Sequence, residues 1–193
     1  EIWRDQLVAL ARHWPRVDDP HARAGSIEGM ASALLAAHDG PLVLVGASMG
    51  GRIALQAALM APQRVRALAL LGSTARADTH ELRSLRSEAV QRFEAGHMEA
   101  LIEANTWFVF HRSAGDDAGL LDRYRAMVRR AGVAQLVRQN RAMMAAPDLR
   151  AAIAALRCPT LVVCGEGDGV TPPECSREIA QAIPGARLEQ LAD

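Results

Sequence analysis

Hydrophobic positions along this 193-residue chain change their spacing several times, and each change marks a boundary. Trp3, Leu7, Leu10 and Trp14 fall three or four residues apart, which predicts a helix with one apolar face that Pro15 ends. The stretch 16–19 has room for a short strand. Ser26 stands where an N-cap is needed, ahead of Ile27, Met30, Ala31, Leu34 and Leu35 on one helix face, and Asp39-Gly40-Pro41 stops that helix. Residues 42–45 are continuously apolar, the pattern of a parallel strand covered on both sides. A glycine-rich turn follows directly, then a helix over about 49–60 that Pro62 ends, then a second apolar strand over 67–71. Strand, helix and strand within this length form a βαβ unit.

The rhythm then breaks. Residues 74–146 are rich in Arg, Glu and Ala, carry helical patterns such as 120–130, and show no strand pattern. After Pro147 a helix through Leu156 and a strand over 160–164 are expected. Thr171-Pro172-Pro173-Glu174 should open another helix, with Thr171 as cap, proline at the first helical position and Glu174 closing a capping box. Residues 187–191 begin one more strand. The expected organisation is a first part of a core (1–73), a helical lid insertion (74–146) and a second, incomplete part of the core (147–193). The fold class is α/β, with a mostly parallel, doubly wound sheet.

Composition narrows the partners. Lys plus Arg (22) equals Asp plus Glu (22), and no tract gathers basic residues, so neither nucleic acid nor an anionic membrane is expected. The longest apolar runs are too short to cross a bilayer, and no charged-then-apolar leader opens the chain. Cys158, Cys164 and Cys175 make an odd set without framework spacing, which fits a reducing, cytoplasmic compartment. They also lack the CxxC spacing and nearby histidines of a zinc site, so buried free thiols and no metal are expected.

The chemistry concentrates at Gly46-Ala47-Ser48-Met49-Gly50, a G-x-S-x-G sequence between a predicted strand and a predicted helix. A sharp turn there presents the Ser48 hydroxyl above the sheet, and side chains at positions 46 and 50 are expected to collide with neighbouring backbone. The helix N-terminus directs amides at developing negative charge, with the Met49 N–H placed as an oxyanion donor. The alternative is a glycine-rich turn with an incidental serine. A phosphate loop does not fit, because no Lys-Ser or Lys-Thr follows and the G-x-G-x-x-G spacing is absent.

Asp168, on the loop after the 160–164 strand, can reach the same rim of the sheet and orient a histidine that takes the serine proton. Glu166 is its local competitor and Asp78 a distant one; a plain turn role for Asp168 also stays open. The six histidines are His13, His21, His38, His80, His97 and His111, and none follows Asp168. The first three are expected at exposed helix ends or loops, and the last three lie in the insertion, where one could line a pocket.

Three segments, LVLVGASMGGRIALQAALMAPQRVRALALLGSTARA, CPTLVVCGEGDGVTPPE and IPGARLEQLAD, resemble the α/β-hydrolase superfamily, in its branch of lid-bearing serine esterases and enol-lactonases. The resemblance implies a cofactor-free acyl transfer to water through Ser48 and Asp168, acting on an ester, thioester or lactone. It also implies a Gly-His pair carrying the base just after the last segment, and a His-Gly oxyanion loop before Glu1. Serine at the turn argues against carboxylate-nucleophile dehalogenases and epoxide hydrolases of this fold. A C–C bond hydrolase, an acyltransferase or a non-catalytic truncated homologue remain alternatives, and a homo-oligomer is left open. Trp107, Phe108, Phe110, Met127, Met143 and Met144 are expected mostly as core of the insertion, with an apolar pocket roof as the alternative.

Overall fold

The structure is a computed structural model that describes residues 2–13, 16–18, 20, 24–110 and 117–192. Helix α1 (Arg4–Leu10) runs on into a 3₁₀ turn (Ala11–His13), and none of their residues is buried. Its apolar face is thus barely used: Trp3 and Leu7 are half-covered and Leu10 is exposed, while Trp14 and Pro15 lie outside the described residues. Residues 16–18 form no strand, and Asp19 lies outside the described residues. The Asp18 carboxylate sits instead 3.0 Å from His38 Nε2.

Helix α2 (Ile27–Ala37) begins as expected, with the Ser26 hydroxyl accepting the Gly29 N–H at 3.0 Å. Strand β1 (Leu42–Ala47), helix α3 (Met49–Met60) and strand β2 (Val65–Leu71) follow as a βαβ unit. Arg64, just before β2, donates to the carbonyls of Leu35, His38 and Gly40, tying the end of α2 to the sheet. Among the described residues, three helices then intervene: α4 (His80–Glu94), α5 (Met98–Val109) and α6 (Ala118–Met144), the last broken at Gly132 (φ 71°, ψ 163°). Strand β3 (Thr160–Gly165), helix α7 (Pro173–Ala182) and strand β4 (Arg187–Leu191) complete the order.

The four strands are all parallel in the order β1-β2-β3-β4, with Leu44 opposite Leu68, Leu70 opposite Val162, and Val162 opposite Leu188. Leu55 and Ala58 of α3, Ile179 of α7 and Ile183 join Leu68, Leu70 and Val162 in one buried cluster, so α3 and α7 cover the same face. Ile27, Met30 and Ala31 of α2 pack on the outer side of α3 against Ile53 and Ala57. Side chains alternate along a strand, so Val43 and Val45 point the other way, and they are 67% and 47% exposed. The expectation that residues 42–45 are covered on both sides is therefore corrected. β1 stands at an edge of the described sheet, and its second face is open.

The segment between β2 and β3 has its own core, where Val90, Phe93, Leu101 and Val137 hold α4, α5 and α6 together. Ala142, Met143 and Ala146, at the end of α6 and just beyond it, join that unit to α2 and α3. The helix expected through Leu156 is only a 3₁₀ turn (Ala152–Ala155). Leu149, Ile153 and Leu156 are all buried within it or beside it, and the chain must be extended before Pro159, where helical backbone is disfavoured.

A proline does take the first helical position of α7, but it is Pro173, one residue later than a Thr171 cap requires; the N-cap is Pro172 and no side chain caps it. The predicted capping box does not form, because Thr171 lies one residue too early and its hydroxyl donates to the Gly72 carbonyl at 2.8 Å.

Candidate active site

Ser48 is the single residue between β1 and α3, with φ 52° and ψ −119°, the only non-glycine positive φ among the described residues. Such a conformation costs about 1–3 kcal/mol and persists only when its surroundings impose it. Here they do. The Ser48 N–H donates to Leu71 O at 2.8 Å, and the Ser48 carbonyl accepts the Gly51 N–H at 3.0 Å and the Ser73 hydroxyl at 2.9 Å. The backbone is clamped to the end of β2 while the residue itself stays exposed.

Sterics explain one of the two motif glycines. A Cβ on Gly46 would lie 2.4 Å from the Gly50 carbonyl oxygen, so position 46 accepts no side chain. A Cβ on Gly50 would meet nothing within 4 Å, so the collision expected there is absent. The second tight position is Gly51, where a Cβ would come within 2.6 Å of Ser73 Oγ. Ser73 itself escaped the sequence reading, because a serine just after a strand carries no motif.

The first amides of α3, Met49 among them, have no partner within the helix and carry its positive dipole end. No acidic side chain lies in that first turn to offset it. Arg52 follows one turn later, 1% exposed, and donates to the carbonyls of Thr74, Arg76 and Pro147. Burial lowers the pKa of this guanidinium, and the charges of Asp78 and Asp148 partly oppose that.

Asp168 sits beyond the end of β3. Its Oδ1 accepts the N–H groups of Val170 (2.9 Å) and Thr171 (2.8 Å), and its Oδ2 is 3.2 Å from Thr171 Oγ1. A Cβ on Gly72 (φ 49°) would approach Oδ2 to 3.1 Å, so this carboxylate faces the end of β2. The competitors are placed differently: Glu166 is exposed, and Asp78 is buried against Arg86 with a 2.7 Å bond. Since β1 and β3 flank β2, and strands are spaced at about 4.8 Å, the strand that leads into Ser48 and the strand that precedes Asp168 run about 10 Å apart.

Among the described residues, His38 is bound to Asp18 and His13 to Arg12, while His80 and His97 stand exposed at the starts of α4 and α5. His21 and His111 lie outside the described residues. All three cysteines are free thiols, with Cys164 and Cys175 buried and Cys158 partly so. No three His, Cys, Asp or Glu side chains gather as a metal site among the described residues.

The apolar side chains of the helical segment divide. Met143 is buried, Met127 and Met144 are half-buried, and Phe110 meets Tyr124 edge-on at 5.4 Å. Trp107 and Phe108 are 67% and 62% exposed, against the expectation of packed core. Among the described residues no helix is long and apolar enough to cross a membrane.

A parallel α/β sheet that delivers a strained, exposed serine to a helix N-terminus, with a carboxylate two strands away, defines a class of α/β proteins built around a strand–serine–helix turn. The pattern of the alpha/beta hydrolase fold matches residues 24–193, and the chain belongs to that family. It is 28% identical to a candidate carbamate hydrolase, RutD, of Klebsiella pneumoniae, over 98% of this chain and 77% of that protein. An esterase from Thermogutta terrifontis superimposes with a TM-score of 0.81 at 27% identity, over 87% of this chain and 64% of that one. The enol-lactonase of Burkholderia xenovorans gives a TM-score of 0.79 at 27% identity, over 86% of this chain and 64% of that one.

Proposed function

We propose that the protein is a serine hydrolase that cleaves a carboxylic ester, thioester or lactone through an acyl-enzyme on Ser48. The observation that carries this reading is the strained, exposed Ser48 at the N-terminus of α3. Ser48 Oγ attacks the carbonyl carbon as its proton passes to a base, and the Met49 N–H holds the oxyanion. The oxyanion collapses, the alcohol or thiol leaves with that proton, and the acyl group remains on Ser48. Water then attacks through the same base, releasing the acid and restoring the serine.

Asp168 orients the base. In the family order of serine, acid, histidine, that base follows Asp168, and residues 169–193 contain no histidine. The names of the relatives support carbonyl chemistry, since carbamates, esters and enol-lactones all present an acyl carbon with a leaving heteroatom. In this reading residues 74–146 form a lid over the pocket, the substrate is a small acyl compound, and no metal or organic cofactor takes part.

Treating the full-length protein with a fluorophosphonate and mapping the adduct by mass spectrometry tests the proposal. A single adduct on Ser48, lost in Ser48→Ala, is expected. Labelling at another residue, or none, overturns it.

A further inference from the structure

We propose that Arg52 is a positioning residue that fastens both ends of the helical segment 74–146 to the helix bearing Ser48. Its neighbours along α3, Ile53, Ala54 and Leu55, are buried and apolar, and Arg52 is buried as deeply as they are. Its hydrogen-bond partners are backbone carbonyls from two places. Thr74 and Arg76 lie where the chain leaves β2 for the helical segment, and Pro147 lies where it returns.

Burying a charge among carbonyls costs more than burying an apolar side chain of the same size. What the guanidinium adds is geometry. A planar fork with five donors can hold two backbones at a set separation, which neither an apolar group nor a single ammonium can do. The Arg52 N–H bonds the Ser48 carbonyl at 3.3 Å, so the two ends of the helical segment are fixed one helical turn from the serine.

A second set of ties joins the same ends to α7 from outside. Arg76 forms two 2.8 Å bonds to Glu178, and Arg150, paired with Asp148, lies 3.9 Å from Glu178. Those pairs are partly exposed, where ion pairs contribute little. Arg52 is the buried fastening, and it keeps the spacing between Ser48 and whatever the helices hold above it.

Hydrogen exchange read by mass spectrometry on wild type, Arg52→Lys and Arg52→Met tests this without requiring activity. In Arg52→Met, peptides covering 74–78 and 145–149 should exchange about tenfold faster or more, since three backbone carbonyls lose their donor, while β3 keeps its protection. Arg52→Lys should fall between, because one ammonium serves one backbone better than two. If Arg52→Met does not fold, Arg52→Lys is judged by the same local comparison.

A uniform rise across the protein, or no change at the two ends, overturns the inference. Its consequence for turnover rests on the hydrolase reading: KM for p-nitrophenyl butyrate should rise about tenfold with kcat changed no more than about twofold. Local loosening in Arg52→Met, with no esterase activity in the full-length wild type, would sink the hydrolase reading and leave the role of Arg52 standing.

Discussion

At the scale of single residues, Ser48 and its glycines make opposite predictions about stability. Ser48 holds φ 52°, which a glycine adopts without strain. Ser48→Gly should abolish labelling yet raise the unfolding midpoint, by a few degrees if about 1 kcal/mol of strain is released. A lower midpoint in thermal denaturation would show that the turn is unstrained. Gly46→Ala drives a Cβ into the Gly50 backbone, and should cost about 3 kcal/mol or prevent folding. Gly50→Ala, with open space around it, should stay within about 1 kcal/mol of wild type. Chemical denaturation of the pair separates a steric requirement from a shared motif. The sequence pattern marks both glycines equally; only the neighbouring backbone distinguishes them.

At the scale of elements, one feature of the helical segment and one just beyond it respond to substitution or pH. Gly132 breaks α6 with φ 71° and ψ 163°, a backbone region closed to residues with a Cβ. Gly132→Ala has space for its methyl group, so its cost is conformational alone. A loss of about 1–3 kcal/mol is expected in urea unfolding, whereas no change would show that the break survives without glycine.

The turn at Asp148 is pH-dependent. Hydrogen bonds from Arg150 hold this carboxyl at about 2, against an ordinary 3.8. Its folded pKa is depressed, so its contribution is complete above the unfolded value and disappears as pH falls toward about 2. Glu178, held down by its hydrogen bond from Arg76, acts in the same sense. Asp148→Asn should therefore flatten the loss of stability with falling pH between about 4 and 2, in thermal melts across that range. Unchanged pH dependence would show that the pair adds nothing.

At the scale of the whole molecule, the helices α2, α3 and α7 lie on one side of the sheet and leave Val43 and Val45 open on the other. An apolar sheet face beside an unpaired edge strand promotes association. The 193-residue chain should therefore self-associate as its concentration rises, and Val43→Lys should reduce this in light scattering. A chain that stays monomeric at high concentration, with or without the lysine, would show that the face is harmless.

Local order was legible in the sequence. A continuous apolar run, a G-x-S-x-G turn and a following helix are short-range patterns, and the structure places β1, Ser48 and α3 where those patterns put them. The Ser26 cap and Pro173 at the first turn of α7 are of the same kind, because capping depends on residues a few positions away. Contacts between distant segments were not legible. Ser73 bracing the Ser48 carbonyl, Arg52 gathering carbonyls from residues 74 and 147, and Thr171 leaving its cap for Gly72 each join parts of the chain far apart in sequence. Hydrogen-bonding groups accept many partners equally well, so composition and spacing cannot choose among them. The packing of the strands, which brings those groups within reach, makes the choice.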